Sequence, residues 1–198
     1  MVTRTARNHG TRSIDNRESE ISWVGRRSVH YEAAFEAYLR AMGWPYVVVD
    51  EARKAVFAEV SIKSFDFLVY SEAGPNLLAD VKGRKFPVGP GAGDGSSRAW
   101  ENWVTREDVD SLQEWENIFG PEFRAVLVFA YWLQGPPGRG PFEDVHFFRN
   151  RHYAFRAIAL ADYARSVRPR SAKWQTLTMP AAAFREKAVD LGQLLDGR

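Results

Sequence analysis

Apolar positions first recur at helical spacing in "HYEAAFEAYLRAMGW", where Tyr31, Ala34, Phe35, Tyr38, Leu39 and Met42 form one stripe and Gly43 supplies the stop. The period then shortens. "YVVVD" reads as a short buried strand, and "SFDFLVYS" and "NLLADVK" as two more, joined by "EAGPN", whose Gly and Pro favour a hairpin. "FPVGPGAGDGSSRAW" reads as a long flexible loop. A second helix is predicted to open at Thr105, with Asp108 as an aspartate form of the capping box, and to end near Gly120. "FRAVLVFAYWLQ" has the unbroken apolar character of a central strand covered on both faces. Beyond the loop "GPPGRGP", "VHFFRNRHYAFRAIAL" reads as a second hairpin, "ADYARSV" as a short helix and "WQTLTM" as a last strand. "PAAAFREKAVDLGQLL" reads as one terminal helix begun by Pro180. The order helix, strand, strand, strand, helix, strand, with C-terminal additions, predicts an α/β or α+β sandwich: a mixed central sheet flanked by helices.

Strand alternation places Leu78, Asp80 and Lys82 on one face, and Leu77, Ala79 and Val81 on the other. A turn centred near Ala73 or Gly74 sets Asp66 opposite Asp80 or Lys82. Opposed residues have β-carbons only about 4.5–5.5 Å apart, so two acids would repel unless a cation or a shared proton compensates. A hard divalent ion such as Mg²⁺ takes oxygen ligands and suits chemistry on phosphates. The plainer alternative is a surface ion pair between Asp66 and Lys82. On the first helix Glu32 falls at the edge of the apolar stripe, where it can look into a cleft beside the sheet, while Glu36 lies further round and more solvated.

A chain of 198 residues that is 45% hydrophobic and 26% charged has the length and composition of one well-filled domain, taken as residues 23–198 after a disordered basic tail at 1–22. Without cysteine there are no disulfides, thiolate sites or cysteine nucleophile. No apolar run approaches the ~18 residues of a membrane span, and the polar start lacks a secretory core, which predicts a cytoplasmic protein. Net charge is only +2, but it is unevenly placed. Arg149, Arg151, Arg156, Arg165, Arg168, Arg170 and Lys173 stand against Asp162 alone, the density of a backbone-binding surface. The helix after Thr105 is acidic instead. Trp100, Trp103 and Trp115 read as packing aromatics, and His30 as an N-terminal helix residue. "GPGAGDGSS" lacks a following Lys-Ser or Lys-Thr, so it is read as a flap that orders over substrate and not as a phosphate loop.

An early helix glutamate, an Asp at the head of a strand, and D-x-K in "ADVK" on its partner, followed by a helix and a strand, resemble the PD-(D/E)XK nuclease superfamily. In its Holliday-junction-resolvase-like and very-short-patch-repair-like relatives the glutamate precedes "GF" or "GW" by eleven residues, the spacing from Glu32 to Gly43. That favours Glu32 over Glu36. More narrowly, "HYEAAFE", "SFDF" and "DVKGRK" resemble the uncharacterised bacterial HYExAFE family from about residue 28 onward. Phe65 stands where the superfamily often has proline.

The resemblance implies a restriction-endonuclease-like αβββαβ core and metal-dependent hydrolysis of DNA, or sometimes RNA, by Mg²⁺ or Mn²⁺. Carried onto this chain, Asp66, Asp80 and Glu32 become metal ligands. Lys82 becomes either a general base of depressed pKa or a protonated electrophile. Arg84 and Lys85 are placed for flanking phosphates, Gln113 on the next helix stands where some branches have a substrate-directed glutamine, and Glu36 is a weaker contact candidate. A nucleic-acid-binding module that keeps the fold without turnover is the alternative. The resemblance also allows a homodimer.

Overall fold

Helical periodicity at 31–42 becomes helix α1, covering 30–42, in a computed structural model that describes residues 30–49, 56–57, 60–89 and 100–195. The predicted tail at 1–22 and most of the glycine-rich loop lie outside the described residues. Tyr31, Ala34, Phe35, Tyr38 and Leu39 are buried, but Met42, in the last turn before Gly43 takes the left-handed region, is half exposed.

Strands β1 (Tyr46–Val48), β4 (Phe67–Val69), β5 (Asn76–Pro87), β7 (Phe123–Gln134), β9 (Arg151–Ala159) and β8 (His146–Phe148) form a six-stranded mixed sheet in that spatial order. Two-residue strands β2 (Val56–Phe57) and β3 (Val60–Ser61) pair between β1 and β4 in sequence. β5 and β7 are parallel; every other pair in the large sheet is antiparallel. The parallel pair needs a crossover, and helix α2 (Arg106–Phe119) supplies it. The order α1, β1, β4, β5, α2, β7 is the expected αβββαβ core, and β8 and β9 form the expected second hairpin. β1 is an edge strand, so Val47 and Val48 are exposed and not buried as their apolar run predicts.

The sheet divides two cores. Leu77, Ala79 and Val81 of β5 join Val126, Val128 and Ala130 of β7 against α1. Leu78 and Phe86 join Leu127, Phe129 and Tyr131 against Leu112 and Trp115 of α2. β7 is buried on both sides from Ala125 to Tyr131, as its unbroken pattern predicts. Burying each Leu or Phe contributes roughly 1.5–3 kcal/mol, and this central pair holds the core elements in place. Trp100 and Trp115 pack in this second core, in line with their reading as packing residues.

The C-terminal additions depart from the sequence reading. Helix α3 (Leu160–Ser166) is as expected, but β10 (Arg168–Ser171), β11 (Thr176–Thr178) and β6 (Val104–Thr105) form a separate three-stranded sheet. The single terminal helix is instead two, α4 (Ala181–Lys187) and α5 (Leu191–Leu195). Between them Val189 exchanges two 2.8 Å backbone hydrogen bonds with Ala157 of β9. Arg156 donates to the Ala188 carbonyl and pairs with Asp190 at 2.7 Å. Sheet pairing thus outcompetes helical continuity at that point.

Candidate active site

Phe67 pairs with Ala79, so the register continues to Asp66 opposite Asp80, the first of the two expected alignments. β4 ends there, and the backbone bends. The Asp66 N–H donates to the Ala79 carbonyl at 3.0 Å, while Asp66 Oδ2 accepts the Val81 N–H at 2.6 Å. The carboxylate therefore takes the place of the next strand carbonyl and lies at the sheet margin. It opens into a cleft of about 190 Å³ lined by Glu32, Glu36, Val48, Val49 and Phe67.

Asp80 faces the other way. With Leu78 and Phe86 it lies on the α2 side, in a narrower depression with Lys63, Ser64, Asp108, Ser111 and Leu112. Its Oδ2 forms a buried ion pair with Lys82 Nζ at 2.6 Å. Lys82 Nζ also lies 3.1 Å from Asp108 Oδ1. Burial opposes the Lys82 charge, but Asp80 and Asp108 outweigh it and hold its pKa above the ordinary lysine value.

Asp108 is the neighbour of Lys82 that sequence reasoning missed. Its Oδ2 accepts the Thr105 N–H at 2.8 Å and Thr105 Oγ1 accepts the Asp108 N–H at 3.1 Å, completing the predicted capping box. The other oxygen bridges Lys82 and Lys63. Burial works against its charge, but Lys82 and Lys63 dominate and hold the carboxyl well below the usual range. The spacing from Thr105 signals the cap; no sequence signal marks the link across to β5 or the arrival of Lys63.

Asp66 shows the opposite balance. Burial first, then the charge of Asp80 on the neighbouring strand and more weakly Glu32, push its carboxyl well above the ordinary value, with the Val81 N–H and Lys82 acting the other way. Asp66 is thus where the fields of all three other predicted residues meet. The carboxylates nonetheless open into different depressions, and among the described residues no three His, Asp or Glu side chains gather closely enough to ligate one ion. Glu36 is engaged elsewhere, accepting from Arg40 at 2.6 Å and from the Tyr46 hydroxyl at 2.9 Å.

The remaining predicted contacts separate. β5 continues to Pro87, and Arg84 is buried inside it: Nη1 donates to the Gly83 carbonyl at 2.7 Å, Nη2 donates to the Trp103 carbonyl, and the guanidinium lies 4.0 Å from the Trp103 ring centre. Its expected exposure to a flanking phosphate is therefore not found; the side chain ties β5 to the approach to α2. Lys85 is exposed on the α1 side. Gln113 donates to Glu116 at 3.0 Å along its own helix. The basic stretch is not one surface, since Arg165 pairs with Asp162, Arg156 with Asp190, and β9 and β10 belong to different sheets.

Among the described residues no helix is long and apolar enough to cross a membrane. No family model and no curated protein matches the chain. Among solved structures the chain is similar to Hjc of Archaeoglobus fulgidus, a Holliday junction resolvase from an archaeal hyperthermophile, at 12% identity and a TM-score of 0.49, with 84% of this chain and 98% of that one covered.

Proposed function

We propose that this chain is a divalent-metal-dependent nuclease that hydrolyses phosphodiester bonds of DNA, with Asp66, Asp80, Lys82 and Glu32 as its working residues. The observation that carries the reading is the register that opposes Asp66 to Asp80, with Lys82 pinned beside Asp80. A sheet gains nothing from two opposed acids, and the raised Asp66 carboxyl records an excess of negative charge that Lys82 offsets only in part. Hard oxygen donors in that condition fit Mg²⁺ or Mn²⁺. Asp66 and Glu32, which line one cleft, would hold the ion, and Asp80 would join them only by leaving Lys82 and turning toward Asp66. Such an ion, when bound, neutralises phosphate charge and makes water a better nucleophile.

The protein's own part is positioning. Lys82, kept as an ammonium by Asp80 and Asp108, acts as a donor to a non-bridging phosphate oxygen and offsets charge that grows in the transition state. This favours the electrophile role over the general base. Asp108 keeps Lys82 in place while Asp80 serves another partner. The likeness of "HYEAAFE", "SFDF" and "DVKGRK" to the HYExAFE-type branch supports the same assignment, and a homodimer would present two such centres to two strands.

Separation of the carboxylates between two depressions favours a second reading, a nucleic-acid-binding module without turnover. Incubation with supercoiled, linear, branched and single-stranded DNA, and with RNA, in Mg²⁺ or Mn²⁺ decides between them. Asp80→Ala and Lys82→Ala should each lower cleavage at least ~100-fold, the scale of losing one oriented electrostatic group. Binding of DNA without cleavage by the native chain establishes the second reading. Cleavage indifferent to Asp80→Ala assigns the activity elsewhere.

A further inference from the structure

On the α1 side of the sheet, at the far end of β5, three cations gather around aromatic rings. Lys85 pairs in register with Trp132 of β7, and Trp132 with Tyr153 of β9. Strand alternation turns Lys85, Trp132, Tyr153 and Arg151 to that one face. Lys85 Nζ lies 5.4 Å from the Trp132 ring centre and the Arg151 guanidinium 4.3 Å from the same ring. His30, at the start of α1, meets Trp132 edge-on at 5.6 Å and its Nδ1 lies 2.9 Å from the Tyr153 hydroxyl. Arg149, in the β8–β9 turn, stands 4.9 Å over Phe148.

Among the described residues none of these three cations has a carboxylate within 4.0 Å, whereas Arg156 and Arg165 of the same stretch are ion-paired. Two like charges on one indole repel. They are offset only partly by the ring, whose cation–π attraction is small at an exposed site. An anion laid across them would relieve that repulsion; Lys85 is exposed, and Arg151 lies over the half-buried Trp132.

We propose that Lys85, Arg151 and Arg149, seated on Trp132 and Phe148, form a docking platform for the phosphate backbone of a nucleic-acid strand, the choice of nucleic acid resting on the nuclease reading. Lys85 is five residues beyond Asp80, roughly 17 Å along a strand, so the platform is a separate anchor and not part of the cutting centre. His30 links it to the α1 turn that carries Glu32. Contacts of this kind set register and read no sequence.

The test is binding of a fluorescein-labelled branched or duplex oligonucleotide by anisotropy in EDTA, over a salt series, so that turnover plays no part. Lys85→Ala/Arg151→Ala should weaken binding at least ~10-fold and make the slope of log affinity against log salt shallower by about 2, close to one unit per lost phosphate contact. Lys187→Ala, exposed on α4 across the sheet, serves as the control and should change neither. Unchanged affinity and slope in the double variant overturn the platform, as does competition by polyglutamate as strong as that by unlabelled DNA of equal charge. Native-level binding with no cleavage in Mg²⁺ refutes the nuclease reading and leaves the platform standing; cleavage that survives with the double variant's binding intact refutes the platform alone.

Discussion

Gly83 follows the D-x-K lysine directly, and its missing side chain is what lets α1 lie down on β5. A Cβ built there would stand 2.1 Å from Tyr31 Cδ2 and 2.5 Å from Cγ and Cε2. Carbon pairs are comfortable at about 3.5–4.0 Å, so Gly83→Ala requires the ring to withdraw by more than an ångström. It has nowhere to go: Tyr31 is 9% exposed, packs edge-on to Tyr153 at 6.1 Å, and sits one turn from the fully buried Ala34 and Phe35. Overpacking of this kind costs about 1–3 kcal/mol, against which alanine recovers only ~0.5–1 kcal/mol of strand propensity, so sterics win. A net loss of about 1 kcal/mol lowers the melting temperature by roughly 2–4 °C in a chain of this length.

The control is a double-mutant cycle in urea at constant m-value. Tyr31→Ala alone should cost about 3 kcal/mol, as for other large buried aromatics. In that background Gly83→Ala should be neutral or slightly stabilising, giving a coupling of about 2 kcal/mol. Equal costs of Gly83→Ala in both backgrounds would refute the close approach of helix and strand. Glu32 neighbours Tyr31, so any cleavage by the single variant should fall along with its stability.

Asp66→Asn keeps an acceptor for the Val81 N–H but removes the opposed charge, so in EDTA at neutral pH the variant should melt a few degrees above the native chain, each kcal/mol being worth about 2–4 °C. The sign follows from its raised carboxyl: the native penalty is full above the folded pKa and fades as pH falls toward the unfolded ~3.9, so the gain should shrink toward acid, and a gain constant with pH excludes this origin. Asp108 has the reverse sign. Its carboxyl is depressed, so its stabilisation is present above ~3.9 and lost as pH falls below; Asp108→Ala should cost about 3 kcal/mol at pH 7 and much less in strong acid, measured by urea midpoints across pH.

Much of the core was written in short-range pattern. Helical spacing from Tyr31 to Leu39, the "EAGPN" turn and the unbroken apolar run of β7 each depend on neighbours within a few residues, and each is found in the structure. The turn narrowed the register to Asp66 opposite Asp80 or Lys82, and the pairing of Phe67 with Ala79 selects Asp80. What failed depended on distant partners. Val48 is as apolar as a buried strand residue, but it lies on an edge. Arg84 looks like a solvated cation until Trp103 is brought against it from nineteen positions away, and the terminal helix breaks because Ala157 offers Val189 a backbone partner.

The two-sidedness of the site has the same origin. Parity assigns Asp80 and Lys82 to the α2 face and would send Asp66 there too, but at the last pairing of β4 the strand bends and the Asp66 side chain turns inward to cap Val81. That substitution of a carboxylate for a carbonyl brings the acid into the sheet margin, reachable from Glu32 on one side and Asp80 on the other. α1 and α2 pack on opposite faces, so no single face could gather a helix glutamate, the D-x-K pair and the Asp108 brace. Asp66 opens into the α1-side cleft with Glu32, while its backbone N–H pairs with Ala79, the residue before Asp80. An ion at Asp66 would therefore tie the two layers of the fold together. Mg²⁺ or Mn²⁺ should raise the native melting temperature and leave that of Asp66→Asn unmoved, while equal shifts in the two proteins would place the ion elsewhere.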